Sequence, residues 1–415
     1  MLIVEVQSLW NHLTQSQPWL SFSAPNDRSF ALEVVKTLAT IFGGLAVYLN
    51  FYLSRKNTKI AQDNTRIAES RLITERFSKA VEQLSHENIT VRLGGIYTLE
   101  KIAKESPDDY HWTVMEVLTS FLRMNTSSKK RKSNSFFQEA ASQPELPKEP
   151  LKPAADIQAI LNVIGQRTHE QRQVEERPLD LCGVNIRGAD LKRAYLEGVL
   201  FIEANLESAN LSYAHLEGAD LSKANLDNTN LYSAHLENAN LSNARLENAE
   251  GLHAVLNEAF LYDVNLEQAN LMKAHLKGAQ LCRARLNGAQ LCDAHMEEAD
   301  FTEAHLEDVL LNRAHLEKAS FYSTHLKKTV FNNCKLGNAD FARAHLEGAL
   351  FISANLDGAD FNGSKVEDSS FNGSSLKKAD FSSANLKGVD FSGTDIQEVD
   401  LTNTQLEQCK GLMKN

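Results

Sequence analysis

The chain has 415 residues, with 43 Lys or Arg and 54 Asp or Glu, so its formal net charge is −11. This acidic balance argues against a nucleic-acid partner, because binding to phosphates depends on clustered basic residues. None of its five cysteines lies in a C-x-x-C pair. The sequence therefore predicts neither a zinc finger nor a disulfide framework, and it fits a reducing compartment.

The first predicted element is a membrane-spanning helix. Residues 37–53 carry no charged side chain, and with 30–36 they form a mostly apolar stretch of about 24 residues. About 20 apolar residues suffice to cross the hydrocarbon core of a bilayer. We therefore predict an N-terminal tail at 1–29 and a transmembrane helix at 30–54 that contacts membrane lipid. A buried helix of a globular protein is the alternative interpretation.

The orientation of this helix is predicted from the basic residues on its two sides. Arg28 precedes it, whereas Arg55, Lys56 and Lys59 follow closely. Basic residues favour the cytoplasmic side of a membrane. The sequence thus predicts a single-pass membrane protein whose C-terminal part is cytoplasmic.

Next comes a helical region at 55–125, in which apolar periodicity predicts a continuation helix at 55–84 and amphipathic helices at 90–105 and 110–124. Ser106-Pro107-Asp108-Asp109 is expected to form the turn between the last two helices. A linker at 126–153 contains a basic run followed by regularly spaced prolines, which favour an extended chain. Residues 154–178 are expected to supply a short helix, Ile157–Gln166, that covers the end of the following repeat.

Residues 179–412 are repetitive. Every fifth residue from Leu181 to Leu406 is large and apolar, except at Gly251, and a small residue, most often Ala, lies two positions before each of them. A period of five fits neither an isolated helix nor a flat strand, and it indicates stacked units that bury their faces against one another. At Gly251 we expect the adjacent Leu252 to replace the missing apolar side chain.

A second period gives the number of units per turn. From Phe301 onward, phenylalanines form two series with a spacing of 20 residues, offset from each other by ten. Most histidines of the repeat follow the same spacing. A four-sided coil of 20 residues stacks each series in one column, whereas a three-sided coil would scatter it over all faces.

Units such as Ala189-Asp190-Leu191 and Ala209-Asn210-Leu211 resemble the pentapeptide-repeat family over residues 179–412. The resemblance implies an all-β solenoid, a right-handed quadrilateral β-helix whose large and small apolar residues point inward. The string at 91–115 is similar to a helical block found between a membrane anchor and pentapeptide repeats in bacterial proteins, many of them cyanobacterial. It carries no known catalytic residues.

Histidine columns are the one arrangement in the sequence that suggests a ligand. His275, His295 and His315 are 20 residues apart, so a coil spacing of about 5 Å would stack them, and imidazole is a common metal ligand. These three are the metal candidates. We nevertheless expect no metal, because a flat outward column lacks converging ligands. A surface that responds to pH is the other interpretation, since adjacent imidazoles disfavour each other's charge.

No catalytic or cofactor-binding motif is found in the sequence, so we predict no catalytic residue, no cofactor and no enzyme. The leading hypothesis is a membrane-anchored scaffold that presents a rigid β-helix to a protein partner, through a face that the sequence does not identify. The alternative is a DNA-mimicking protein that binds a topoisomerase, as some members of the resembling family bind DNA gyrase. Residues 179–415 contain 34 acidic and 21 basic residues, a net charge of −13. About eleven coils at a spacing of roughly 4.8 Å would make the repeat about 50 Å long. Because about 50 Å of duplex DNA carries roughly −30, the repeat has less than half the charge of DNA of the same length.

Overall fold

The computed structural model describes residues 25–126, 152–173, 175 and 177–411. The chain divides into two compact units, Met1–Glu75 and Arg76–Asn415. Most of the predicted N-terminal tail, residues 1–24, and most of the predicted linker, residues 127–151, lie outside the described part of the chain.

The first helix, α1, extends over Pro25–Leu84 and has 60 residues. It contains the predicted span at 30–54 and continues through 55–84 as the same helix. Apolar side chains of the predicted span are exposed, including Phe42 at 63% and Val47 at 71%. By length and composition, the stretch Leu32–Leu84 includes a segment apolar enough to cross a membrane.

Two helices follow in the second unit, α2 at Ile89–Glu105 and α3 at Pro107–Thr126. The Asn88 side chain caps α2 by accepting a hydrogen bond of 2.8 Å from the Thr90 N–H. The turn before α3 is shorter than predicted, because the helix begins at Pro107, directly after Ser106. Proline suits the first helical position, because an N–H group there has no acceptor within the helix and its absence costs no hydrogen bond.

The apolar faces of these helices form a small core. Ile96 and Leu99 of α2 and Leu118 of α3 are fully buried. The end of α1 approaches α2 closely at Gly95, where a Cβ atom would lie 2.7 Å from the Ala80 carbonyl oxygen. A larger residue at Gly95 would therefore force the two helices apart.

Helices α4 (Ala155–Gly165) and α5 (His169–Gln173) complete the helical part. Together with α3, α4 supplies hydrogen bonds to the first coil of the repeat, which has no preceding coil to bond with. Four contacts do this: Arg123 Nη1 to Asp180 O at 2.5 Å, Asn185 N–H to Thr126 Oγ1 at 3.2 Å, Gln158 with both backbone groups of Asp190 at 2.7 and 3.0 Å, and Tyr195 N–H to Gly165 O at 2.9 Å.

The backbone N–H groups of a five-residue unit donate to acceptors in the same unit or in the neighbouring coils, as Asp220–Ala224 illustrates. The N–H groups of Leu221 and Lys223 donate to the following coil at 2.7 and 3.0 Å, and that of Asp220 donates to the preceding coil at 3.0 Å. Ala224 N–H donates to Leu221 O at 3.0 Å, and Ser222 N–H donates to the Asp220 side chain at 2.9 Å. Where a unit carries Asp or Asn at this position, its side-chain oxygen can close the turn in the same way.

Successive coils are related by a constant offset. Parallel bridges join residues 20 positions apart, from Asp180↔Leu200 to Asp390↔Lys410. In the described part of the chain these are single bridges, without longer strands. The phenylalanines stack in the two expected columns, with Phe321 and Phe341 rings 4.7 Å apart and Phe321 and Phe331 rings in edge contact at 5.7 Å.

The prediction for Gly251 was wrong. Leu252 is half-buried, so it does not fill the position of the missing apolar side chain. Leu271 of the next coil occupies that space instead, since a Cβ atom on Gly251 would lie 2.7 Å from Leu271 Cδ2. A side chain from the neighbouring coil fills the gap because coils stack closely enough for their core residues to interlock.

Candidate functional site

The outward position of each unit, where the single bridges form, carries the histidines. His215 and His235 stack at 5.0 Å with 7° between their ring planes, and His275 and His295 stack at 4.9 Å with 5°. His295 and His315 are 4.5 Å apart but are tilted by 56°. The predicted column therefore exists, and its regular stacking is broken at its last pair.

The tilted rings of His295 and His315 face Glu297, the glutamate two residues after His295. Glu297 Oε1 lies 3.5 Å from the Nδ1 atom of His295 and 3.5 Å from the Nδ1 atom of His315. The structure thus brings two of the three sequence candidates together with a carboxylate, and it leaves His275 outside this cluster. The signal that could have revealed Glu297 is the recurring His-x-Glu triplet, as in His295-Met296-Glu297.

A second column on another side of the coil contains His305, His325 and His345. The rings of His305 and His325 are 4.6 Å apart with 3° between their planes, and His305 Nδ1 lies 3.6 Å from Glu307 Oε1. Partial burial, reinforced by the two neighbouring histidines, lowers the pKa of His325. Partial burial and the neighbouring His295 lower the pKa of His275 in the first column in the same way.

An apolar column interrupts the polar surface on a third side. Leu310, Val330 and Leu350 occupy the outward position in three successive coils and are joined by parallel bridges. Leu310 is 40% exposed and the nearby Ile352 is 37% exposed. We call these four residues the aliphatic patch. At this position most other units carry Asp, Asn, Ser, Gln or His, so the patch departs from the pattern of the repeat.

The cysteines have the character of packing residues. Burial and a hydrogen bond to Asp300 raise the pKa of the Cys282 thiol to about 12. Burial raises the pKa of Cys334 to about 12 as well, and Cys182 beside Asp180 is raised to about 11. All five cysteines are free thiols, and these three stay protonated at neutral pH, which disfavours nucleophilic or metal-binding roles.

The helical part contains a cleft of about 910 Å³, whose lining combines apolar residues such as Leu84, Phe121 and Met124 with polar and charged ones. One wall carries an ion pair in which Arg92 Nε donates to Asp156 Oδ2 at 2.6 Å. Because Arg92 also donates to the His86 and Glu87 carbonyl oxygens at 2.9 and 2.8 Å, these groups tie the end of α1 to α4. Their role in the described structure is to hold the helices together.

The repeats match two descriptions of one family. Residues 304–381 and 344–410 match the family described as "Pentapeptide repeat region", and four segments within 200–297 match "Pentapeptide repeats (8 copies)". This chain is a pentapeptide-repeat protein. No curated protein matches the chain.

Several solved pentapeptide-repeat proteins are similar to this one. HetL, described as involved in heterocyst differentiation regulation in the cyanobacterium Nostoc, is 25% identical, with coverage of 50% of this chain and 89% of HetL and a TM-score of 0.31. Full-length QnrB1, described as a plasmid-mediated fluoroquinolone resistance protein, is 17% identical, with coverage of 45% and 84% and a TM-score of 0.25. Rfr23 from the cyanobacterium Cyanothece is 27% identical, with coverage of 24% and 63% and a TM-score of 0.12.

Proposed function

We propose that this pentapeptide-repeat protein is a non-catalytic, membrane-anchored scaffold that presents a right-handed quadrilateral β-helix to a protein partner. In this proposal residues 30–54 anchor the chain in the bilayer and the repeat lies on the cytoplasmic side. The observation that carries it is the aliphatic patch, a run of apolar residues in three successive coils at a position that most other units fill with polar side chains.

The aliphatic patch supports a protein-binding role because the repeat does not need these outward apolar side chains in order to fold. The core is formed by the large and small inward residues of each unit, such as Leu311 and Val309, which are fully buried. The outward side chain between them contributes little to that core, so a polar residue would serve the fold equally well. Leu310 and Ile352 are exposed, and Val330 and Leu350 between them are half-buried; contiguous apolar surface of this kind is typical of faces that another protein covers.

The anchor is supported by the exposure of α1. Its apolar residues, including Ile41 at 59% and Phe51 at 57% exposed, would be costly to leave in water, at about 25 cal/mol per Å². A bilayer covers such residues without any protein contact. The basic residues Arg55, Lys56 and Lys59 lie on the C-terminal side of the span and favour its cytoplasmic placement.

Site-specific photo-crosslinking tests the scaffold. A photoreactive residue at Asn312, beside the patch, is expected to capture a discrete partner in intact membranes, and the triple variant Leu310→Asn, Val330→Asn, Leu350→Asn should lose that product. The matched control places the same residue at Tyr262, beside the isolated outward residue Phe260, which is 44% exposed. Equal labelling at both positions, or a product that survives the triple variant, contradicts the proposal.

A second candidate function is favoured by a different column. Asp340, Asp360, Asp380 and Asp400 occupy the outward position in four successive coils. Burial, together with Asp340 and Asp380, raises the pKa of Asp360, as expected where negative charges accumulate. Such an acidic stripe supports a DNA mimic that binds a topoisomerase. Inhibition of gyrase supercoiling by the purified protein, abolished by changing the four aspartates to Asn, would favour this alternative over the scaffold.

A further inference from the structure

The cluster of His295, Glu297 and His315 has the composition of a metal site. It supplies two imidazole nitrogens and one carboxylate oxygen, and these three ligand atoms lie within 4.8 Å of one another. Imidazole and carboxylate ligands together suit Zn²⁺ and neighbouring transition metals, whereas Mg²⁺ and Ca²⁺ prefer oxygen ligands.

The distances match a coordination shell. Metal–ligand bonds of about 2.0–2.2 Å in a tetrahedral zinc site separate neighbouring ligand atoms by about 3.3–3.6 Å. Glu297 Oε1 is 3.5 Å from each of the two Nδ1 atoms. Those separations are long for a hydrogen bond but suitable for atoms that share one ion.

The backbone holds these side chains in place. His295 N–H donates to Ala274 O and His315 N–H donates to Ala294 O, both at 2.9 Å. Met296, between the two ligands of the same unit, is fully buried, so His295 and Glu297 project from a fixed segment. A rigid scaffold lowers the entropic cost of assembling ligands around a metal ion.

The ring geometry separates this cluster from its neighbours. The rings of His305 and His325 stay parallel to within 3°, and among the described residues the Glu307 carboxylate has a short contact with one histidine, His305, at 3.6 Å. The tilt of 56° between His295 and His315 turns both Nδ1 atoms toward the same carboxylate oxygen. The ligand atoms of His305, Glu307 and His325 also lie within 4.8 Å of one another, but their carboxylate is not equally close to both histidines. Two further groups with this spacing, one around His215 and one around His235, contain a single histidine each.

We propose that His295, Glu297 and His315 bind one divalent transition-metal ion of the Zn²⁺ type. Three protein ligands leave at least one coordination position for water or for a ligand from another molecule. This proposal departs from the sequence-based expectation that the column binds no metal, because that expectation rested on the lack of converging ligands, and Glu297 lies 3.5 Å from both histidines. The proposal is independent of the scaffold function, since the metal site and the aliphatic patch share no residue.

Titration calorimetry with Zn²⁺ on the chelator-treated, detergent-solubilised full chain tests the proposal. We expect one saturable equivalent, and a weakening of at least about tenfold in His315→Asn and in Glu297→Gln, because loss of an outer-shell partner alone costs about 10–100-fold. Asn is tolerated at this position of the coil, as Asn355 of the same column shows. Circular dichroism melting without metal, at about pH 7.5 where the histidines are mostly neutral in folded and unfolded chains, should be the same for all variants.

The matched control is His275→Asn, which changes the same column outside the cluster and should bind Zn²⁺ as the wild type does. His325→Asn tests the second column and should also leave the tight equivalent unchanged. Absence of saturable binding by the wild type would overturn the proposal. So would an equal loss of affinity in His275→Asn and His315→Asn, because a diffuse histidine surface, rather than a defined site, would then account for the binding.

Discussion

Arg167 donates two hydrogen bonds of 2.7 Å from its Nη1 atom to both carboxylate oxygens of Glu175. The side chains are 2% and 12% exposed, respectively, so this ion pair is largely withdrawn from water. Arg167 also donates to the Ile164 and Tyr195 carbonyl oxygens at 2.7 and 2.8 Å. It therefore joins α4 to the first coil, at the position where the repeat would otherwise end in unpaired backbone groups.

Glu175→Gln is expected to destabilise this junction by roughly 3–5 kcal/mol, because it leaves the Arg167 charge buried without a counter-charge. Hydrogen exchange should report the loss as faster exchange in α4 and in the first coil. The matched control is Glu116→Gln, which breaks the exposed pair with Arg177, whose side chains are 47% and 66% exposed. That control should change stability by about 1 kcal/mol or less. Similar exchange in both variants would show that the buried pair does not hold the junction.

The register of the repeat is tested by two adjacent residues. Leu276 is 1% exposed and Lys277 is exposed. Leu276→Asp should unfold the repeat locally, since an unpaired buried charge costs several kcal/mol, whereas Lys277→Asp should stay within about 0.5 kcal/mol. Thermal melting followed by circular dichroism distinguishes them. Equal shifts of the melting temperature would mean that the inward register is assigned to the wrong residues.

The sequence predicted the 20-residue coil, but it did not predict the contacts between side chains of neighbouring coils. The spacing of Phe321 and Phe341 gives the 20-residue offset directly, because identical side chains must stack when the coil closes. The space at Gly251 was misassigned, since it is filled by Leu271 from the next coil and a one-dimensional pattern does not reveal contacts between coils. The contact of Glu297 with both His295 and His315 was missed for the same reason, because the two histidines belong to different coils.

The hydrogen bonds at the end of the repeat were also beyond sequence reasoning. A short helix over the first coil was expected, but the pairing of Gln158 with both backbone groups of Asp190 depends on the rotation of α4 about its axis. Periodicity sets which face of a helix is apolar, but it does not fix which polar side chain meets a given backbone group.

Full-length protein is expected to fractionate with membranes and to resist extraction by high salt or alkaline carbonate, because α1 presents an exposed apolar segment long enough to cross a bilayer. A variant that lacks residues 1–54 is the control, and it should appear in the soluble fraction. Protease protection in sealed vesicles should place the repeat on the cytoplasmic side. Recovery of the full-length protein in the soluble fraction without detergent would contradict the anchor.

The histidine columns should make stability depend on pH near neutrality. Partial burial lowers the pKa of His275 and His325 in the folded protein, so the unfolded chain binds more protons as the pH falls toward the unfolded value of about 6.5. Stability then rises with pH and is lost on acidification through that window. In the presence of a chelator, the melting temperature should fall between about pH 7.5 and 5.5. The double variant His275→Asn, His325→Asn should show a shallower decrease, because Asn does not titrate. An equally steep decrease in the variant would assign the pH dependence to other groups.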